Sequence, residues 1–147
     1  MQQDQSRQLL APYLPVWLRE RIGTPALQPG LVRSGPATIL YADLSGFSRL
    51  TADFAAVPDG AERLHEVLNR CYAALVETID AYEGDVVAIA GDALTAWWPD
   101  RLDVDLAQRC ATAMLATMRA LPVAQTPLGE VRLRLRIGVG GGWYMRC

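Results

Sequence analysis

The sequence predicts an α+β domain with a βαββαβ core, an antiparallel-rich sheet and helices packed on one of its faces. Three observations carry this expectation. An apolar run ending at one acid, "ILYAD" (39–43), and a strictly alternating run, "VRLRLRIGV" (131–139), both have the period of a strand. Two short β-rich runs, "DVVAIA" (85–90) and "ALTAWW" (93–98), are separated only by Gly91-Asp92, the length of a tight hairpin connection. Between these runs lie segments whose apolar residues recur every three or four positions, the period of a helix.

The elements follow in order. Residues 9–22, "LLAPYLPVWLRERI", are broken by Pro12 and Pro15, and a short helix is expected from about Pro15, where proline suits the first turn. The Gly/Pro-rich stretch 23–36 reads as a linker. The chain therefore divides into an N-terminal helix and linker (1–35) and a domain (36–147). Strand one is Ala37–Asp43, and a short helix at 48–55 ends at the "VPDG" turn. A long helix, Ala61–Tyr82, presents Leu64, Leu68, Cys71, Leu75, Ile79 and Tyr82 on one face, and Gly84 suits the position just past its end. After the hairpin, a helix over about 103–121 buries Ala107, Cys110, Met114, Met118 and Leu121. In the last strand, 131–139, Val131, Leu133, Leu135, Ile137 and Val139 point one way, and Arg132, Arg134 and Arg136 the other.

This order is the ferredoxin-like, palm-type arrangement. Right-handed crossovers make strands one and two parallel, with strand three inserted between them. The end of strand one then lies beside the turn joining strands two and three. Asp43 ends the first and Asp92 occupies the second, so two distant acids are expected to face each other at one sheet edge.

Composition limits the function. The 147 residues are 51% hydrophobic and 20% charged with a net charge of −2, which fits a globular domain and not a nucleic-acid-binding arm. No nucleic acid and no membrane is expected as a partner: no apolar run reaches bilayer length, and no signal peptide is visible. Cys71, Cys110 and Cys147 lack metal-ligand spacing and read as reduced thiols, with the cytoplasm as the default compartment. His65 has no second histidine nearby and reads as an ordinary helix residue. One of Trp97 and Trp98 is expected in the core and the other at an edge or partner. The arginine stripe is most simply a solvated face or one paired with helix acids, with a phosphate-binding role ranked below both.

The chemistry rests on the two acids. Each alone has an ordinary explanation, an N-cap or turn residue for Asp43 and hairpin chemistry for Asp92. Held together, two carboxylates repel unless a cation lies between them, and hard divalent cations favour carboxylate oxygens plus substrate phosphates. Ser45, Gly46, Phe47 and Ser48 lead into a helix N-terminus, where free backbone N–H groups and the helix dipole attract phosphate.

Three segments, "ATILYADLSGFSRL", "LNRCYAALVETIDAYEGDVVAIAGDALTAWWP" and "LRLRIGVGGG", together resemble a class III nucleotidyl cyclase catalytic domain over about residues 36–142. The likeness is greatest to the first cyclase domain of the tandem soluble adenylyl cyclases. It implies two Mg²⁺ or Mn²⁺ ions on Asp43 and Asp92, with the Leu44 carbonyl as a further ligand. It implies triphosphate binding by Ser45–Ser48, and ATP rather than GTP as substrate, cyclised with loss of pyrophosphate. The site would be completed by a second cyclase-like domain, in cis or in a homodimer. Two departures stand out. Ala88 occupies the position where the family often carries a purine-reading lysine, leaving base-binding residues unassigned and bicarbonate control in question. Family members also continue past "GGGWYMRC" into strands bearing a base-recognition acid and a transition-state Asn and Arg, so the domain is expected to be C-terminally incomplete and the isolated fragment inactive. A catalytically silent dimerisation or regulatory domain is the second reading. An RNA-binding module of the same strand order ranks third, because it needs a basic surface. The Gly-Gly-acid-acid-Phe hairpin of diguanylate cyclases is absent.

Overall fold

The computed structural model describes residues 33–146. The helix expected from Pro15 and the linker up to Val32 lie outside the described residues. The elements are β1 (Arg33–Ser45), α1 (Phe47–Ala55), α2 (Gly60–Ala81), β2 (Asp85–Ala90), β3 (Ala93–Pro99), α3 (Val104–Ala120), β4 (Ala124–Thr126), β5 (Gly129–Val131) and β6 (Arg134–Arg146). The main sheet has the order β2-β3-β1-β6. Since β3 is antiparallel to both β1 and β2, those two run parallel with β3 between them, as the crossover argument requires.

Alternation along β1 decides which face is covered. Thr38, Leu40, Ala42 and Leu44 are buried, whereas Ile39 and Tyr41 are 43% and 52% exposed. The covered face meets Cys71, Leu75 and Ile79 of α2, and Ala107, Cys110, Met114 and Met118 of α3. Leu94, Ala96 and Trp98 of β3 complete this core. Each large apolar side chain fully withdrawn from water here contributes about 1.5–3 kcal/mol. Burial also raises both thiols above their ordinary pKa, that of Cys110 to about 11. The Asp103 carboxylate accepts from the Leu106 N–H at 2.9 Å and starts α3. Among the described residues, no helix is long and apolar enough to cross a membrane.

Three local expectations are corrected. First, β1 extends beyond Ala37–Asp43 at both ends, taking in Arg33–Pro36 from the stretch read as linker. Pro36 is tolerated because it lies past the last β1–β3 pair, Ala37–Pro99, where β1 has only β6 beside it. Second, the run 131–139 is not one strand. Val131 closes a separate hairpin against Ala124, and β6 begins only at Arg134 and continues to Arg146. Alternation persists through the break, with Val131 and Leu133 both buried, so side-chain period alone could not reveal the change of partner.

Third, the left-handed residue after α2 is Glu83, with φ 59°, and not Gly84. Packing is what requires glycine at 84: a Cβ there would stand 2.7 Å from Ile79 Cγ2 and 2.8 Å from Trp98 Cζ2. Both neighbours are buried, and the Trp98 indole is fixed by a 2.8 Å hydrogen bond to the Tyr82 carbonyl. Gly84→Ala is expected to lower unfolding free energy by about 1–3 kcal/mol through overpacking. Urea denaturation tests this, and an unchanged midpoint would refute the packing explanation.

Candidate active site

Asp43 lies near the end of β1, paired in register with Ala93 of β3 and Arg136 of β6. Asp92 occupies the two-residue turn between β2 and β3. Only Gly91 in that turn has positive φ, 63°, so the left-handed residue comes first, the pattern of a type II′ hairpin. The Leu44 N–H donates to the Asp92 carbonyl at 2.9 Å, fastening the turn to the residue that follows Asp43. The structure thus brings Asp92 alongside the end of β1.

Both acids are half-buried, and among the described residues neither carboxylate has a hydrogen-bond or ion-pair partner. The Tyr72 hydroxyl responds to them. Its pKa is raised first by burial, and then by Asp92, Cys71 and Asp43. Two partly desolvated, unpaired carboxylates at one place suit a divalent cation. Among the described residues no group of three or more His, Cys, Asp or Glu could hold a metal. A cation here would rest on two carboxylates, with backbone, phosphate and water oxygens for the remainder. That donor set fits Mg²⁺ or Mn²⁺ and not zinc.

The loop after Asp43 is built around Gly46, which caps α1 in the left-handed region at φ 97°. A Cβ there would also approach the Arg132 carbonyl to 3.3 Å. No side chain caps α1 and its first turn holds no acid, so the first backbone N–H groups have no intrahelical acceptor. Ser45 Oγ is buried without a hydrogen-bond partner. Phe47 is half-buried and Ser48 is exposed. Leu44 sends its side chain into the core.

The arginine stripe is a solvated face, the first of the two simple readings. Arg132, Arg134 and Arg136 are all exposed, and among the described residues none is paired with a helix acid. Register places Arg134 opposite Ser45 and Arg136 opposite Asp43, beside the Ser45–Ser48 loop and the first acid. Only the β1–β6 pairing shows this, and the single run offered no sign of its partner. On β2 and β3, Ala88 pairs with Thr95 and Ala90 with Ala93, leaving a row of small side chains beside Asp92. Ala88 is exposed and offers no side-chain hydrogen bond.

The uncovered sheet face carries an open groove of about 440 Å³, lined by Ile39, Tyr41 and the Gly138, Gly140 and Gly142 backbone. Trp97 stacks edge-on against Tyr144 beside it, with ring centroids 5.2 Å apart. Trp98 is the core tryptophan and Trp97 the outer one, as expected. His65 is exposed.

Comparison with known proteins gives a consistent result. The family model described as the adenylate and guanylate cyclase catalytic domain matches residues 32–145. Adenylate cyclase type 10 of Rattus norvegicus is 37% identical over 70 residues, and that of Homo sapiens 40% over 63 residues. These alignments cover 46% and 41% of this chain and 4% of each relative, so the chain spans a small part of their length. A bacterial light-regulated adenylyl cyclase shares the fold at a TM-score of 0.76 and 24% identity, over 97% of this chain and 41% of that one. The guanylyl cyclase Cya2 does so at 0.63 and 24%, over 77% and 57%.

Proposed function

The chain belongs to the adenylate and guanylate cyclase catalytic domain family, and from that premise we propose that it is the metal-bearing half of a cyclase converting ATP to cyclic AMP and pyrophosphate. The observation that carries this reading is the pair of unpartnered acids, Asp43 and Asp92, joined through the Leu44–Asp92 backbone hydrogen bond. The choice of ATP is supported by the curated relatives, which are adenylate cyclases; the solved structures of similar fold include both adenylyl and guanylyl cyclases.

In the reaction, the ribose 3′-oxygen forms a bond to the α-phosphorus, the bond to the bridging oxygen of pyrophosphate breaks, and the hydroxyl proton leaves. Asp43 and Asp92, with the Leu44 carbonyl, would hold two Mg²⁺ or Mn²⁺ ions. When bound, these lower the pKa of the attacking hydroxyl and neutralise charge on the leaving phosphates. Ser45, Gly46, Phe47 and Ser48 offer the α1 N-terminus and the unpartnered Ser45 hydroxyl to the triphosphate. Arg134 and Arg136 add positive charge alongside.

Purine recognition and the remaining transition-state donors come from a second cyclase-like domain, in cis or as a second copy. The exposed groove beside Ile39 and Tyr41 supports that arrangement. The reading extends to a cytoplasmic location, where nucleoside triphosphates and Mg²⁺ are abundant. Ala88, whose side chain offers no hydrogen bond to a base edge, is equally compatible with a second reading in which the domain is catalytically silent and regulates a partner.

Binding to the native state alone stabilises it by about 2.7 kcal/mol at a hundredfold excess over Kd. Mg²⁺ or Mn²⁺ with ATP is therefore expected to raise the melting temperature by several degrees. Asp43→Asn and Asp92→Asn should each lose that rise without a change in circular dichroism. An equal rise in both variants would remove the metal assignment.

A further inference from the structure

Asp92 stands in a turn, and a turn carboxylate is only as well placed as its backbone. The peptide plane leaving Asp92 is held by its carbonyl, which accepts from the Leu44 N–H at 2.9 Å. The plane entering Asp92 contains the Gly91 carbonyl, and that oxygen accepts from the Tyr72 hydroxyl at 2.8 Å. Because each peptide unit is rigid, anchoring the carbonyl oxygen of both planes narrows the backbone dihedrals open to the residue between them. Gly91, with no Cβ and positive φ, would otherwise be the most permissive joint in this turn.

We propose that Tyr72 is a positioning residue of the two-acid site, its hydroxyl clamping the Gly91 carbonyl so that the Asp92 carboxylate is held against Asp43. The inference rests on the metal-site reading of those two acids. Tyr72 is well suited to the task. Its half-buried ring packs against the hydrophobic core of the domain, so the hydroxyl projects from a fixed base. The residue lies beside the apolar ladder of α2 and not on it, which leaves its tip free to reach the hairpin. Groups that orient a metal ligand from outside the ligand set typically matter about 10- to 100-fold in metal affinity.

Tyr72→Phe deletes the hydroxyl and keeps the ring. The test titrates Mn²⁺ alone into the full 147-residue chain, following loss of the free-ion electron paramagnetic resonance signal, with melting temperature recorded for every variant. Tyr72→Phe is expected to weaken Mn²⁺ binding about tenfold, the lower end of that range, with a near-unchanged melting temperature. Asp92→Asn should abolish specific binding. Thr78→Val serves as the stability control: it removes hydrogen bonds to the Ala74 carbonyl and the Thr117 hydroxyl, farther along α2. It should lower the melting temperature and leave Mn²⁺ affinity intact. If Asp92→Asn abolishes binding while Tyr72→Phe binds like wild type, the Tyr72 role is overturned and the metal site stands. If Asp92→Asn binds like wild type, the metal site fails and the Tyr72 role with it. If Thr78→Val weakens binding as much as Tyr72→Phe does, general loosening accounts for the effect and the proposal is wrong.

Discussion

On the proposed cyclase reading, Asp43→Asn in the domain paired with its partner is expected to lower kcat by about a thousandfold or more while the protein remains folded. A divalent cation contributes several kcal/mol of transition-state charge stabilisation, and about 4 kcal/mol corresponds to roughly a thousandfold in rate. Asparagine keeps the shape of aspartate and removes the charge that retains the ion. The fold should not suffer, since the Asp43 carboxylate has no hydrogen-bond or ion-pair partner among the described residues. Removing an unpaired, half-buried charge costs no native contact. Asp92→Asn should behave alike, because the hydrogen bonds that hold its turn, Leu44 N–H to the Asp92 carbonyl and the Tyr72 hydroxyl to the Gly91 carbonyl, do not involve the carboxylate. Steady-state rates of cyclic AMP formation check this. A loss of less than about tenfold in both variants, equivalent to under about 1.4 kcal/mol, would mean that the acids do not hold the catalytic ions.

Much of this arrangement is legible in the sequence, for a physical reason. Two strands joined by a two-residue turn pair with each other, and handed crossovers leave one slot for the pair. Asp43 and Asp92 could therefore be placed together without coordinates, and the fastening bond from Leu44 lies where that topology puts it. What escaped is what depends on register or on contacts between remote segments. Arg136 opposite Asp43 requires the β1–β6 pairing, which no local pattern encodes. Tyr72 reads as a half-apolar helix residue until the hairpin is laid against α2.

The buried Asp53 is of the same kind: its carboxylate accepts from Thr126 Oγ1 at 2.7 Å and ties α1 to the β4–β5 hairpin. "AQTPLGEV" gave too short a signal to announce that hairpin. Gly84 illustrates a right residue with the wrong reason, since the expectation came from helix termination and the requirement comes from the Trp98 ring. From the sequence the last strand is expected to end at 139, yet Gly140 and Gly142, like Gly138, each pair with a β1 residue and leave a shallow groove above the sheet.

That open face underlies the second large effect. The 147-residue chain, assayed alone at high dilution with Mn²⁺ and ATP, is expected to show negligible cyclase activity, at least a hundredfold below the paired form. Losing one preorganised donor to a developing oxyanion costs about a hundred- to a thousandfold, and such donors act fully only where water is excluded. Here the face beside Asp43 is open. Ile39 and Tyr41 are exposed, the neighbouring strand positions are glycines, and the row beside Asp92 offers only alanines and Thr95. Arg134 and Arg136 are exposed as well, so their charge is largely screened until a second surface covers them. Covering the groove would remove water and bring the missing donors in one step. If a second copy supplies them, specific activity should rise with chain concentration and then saturate. If the partner is a different cyclase-like domain, activity should appear only on mixing or fusion with it. Exposed Tyr41 lines the groove and is not among the proposed metal ligands, so it separates the two functions. Tyr41→Lys should suppress this association-dependent activity by placing a charge in the covered groove, yet leave the stabilisation by metal and ATP in place. Robust turnover by the dilute chain, with specific activity independent of concentration, would refute the shared site. An assembly that forms and stays inactive with metal and ATP would favour the silent regulatory domain.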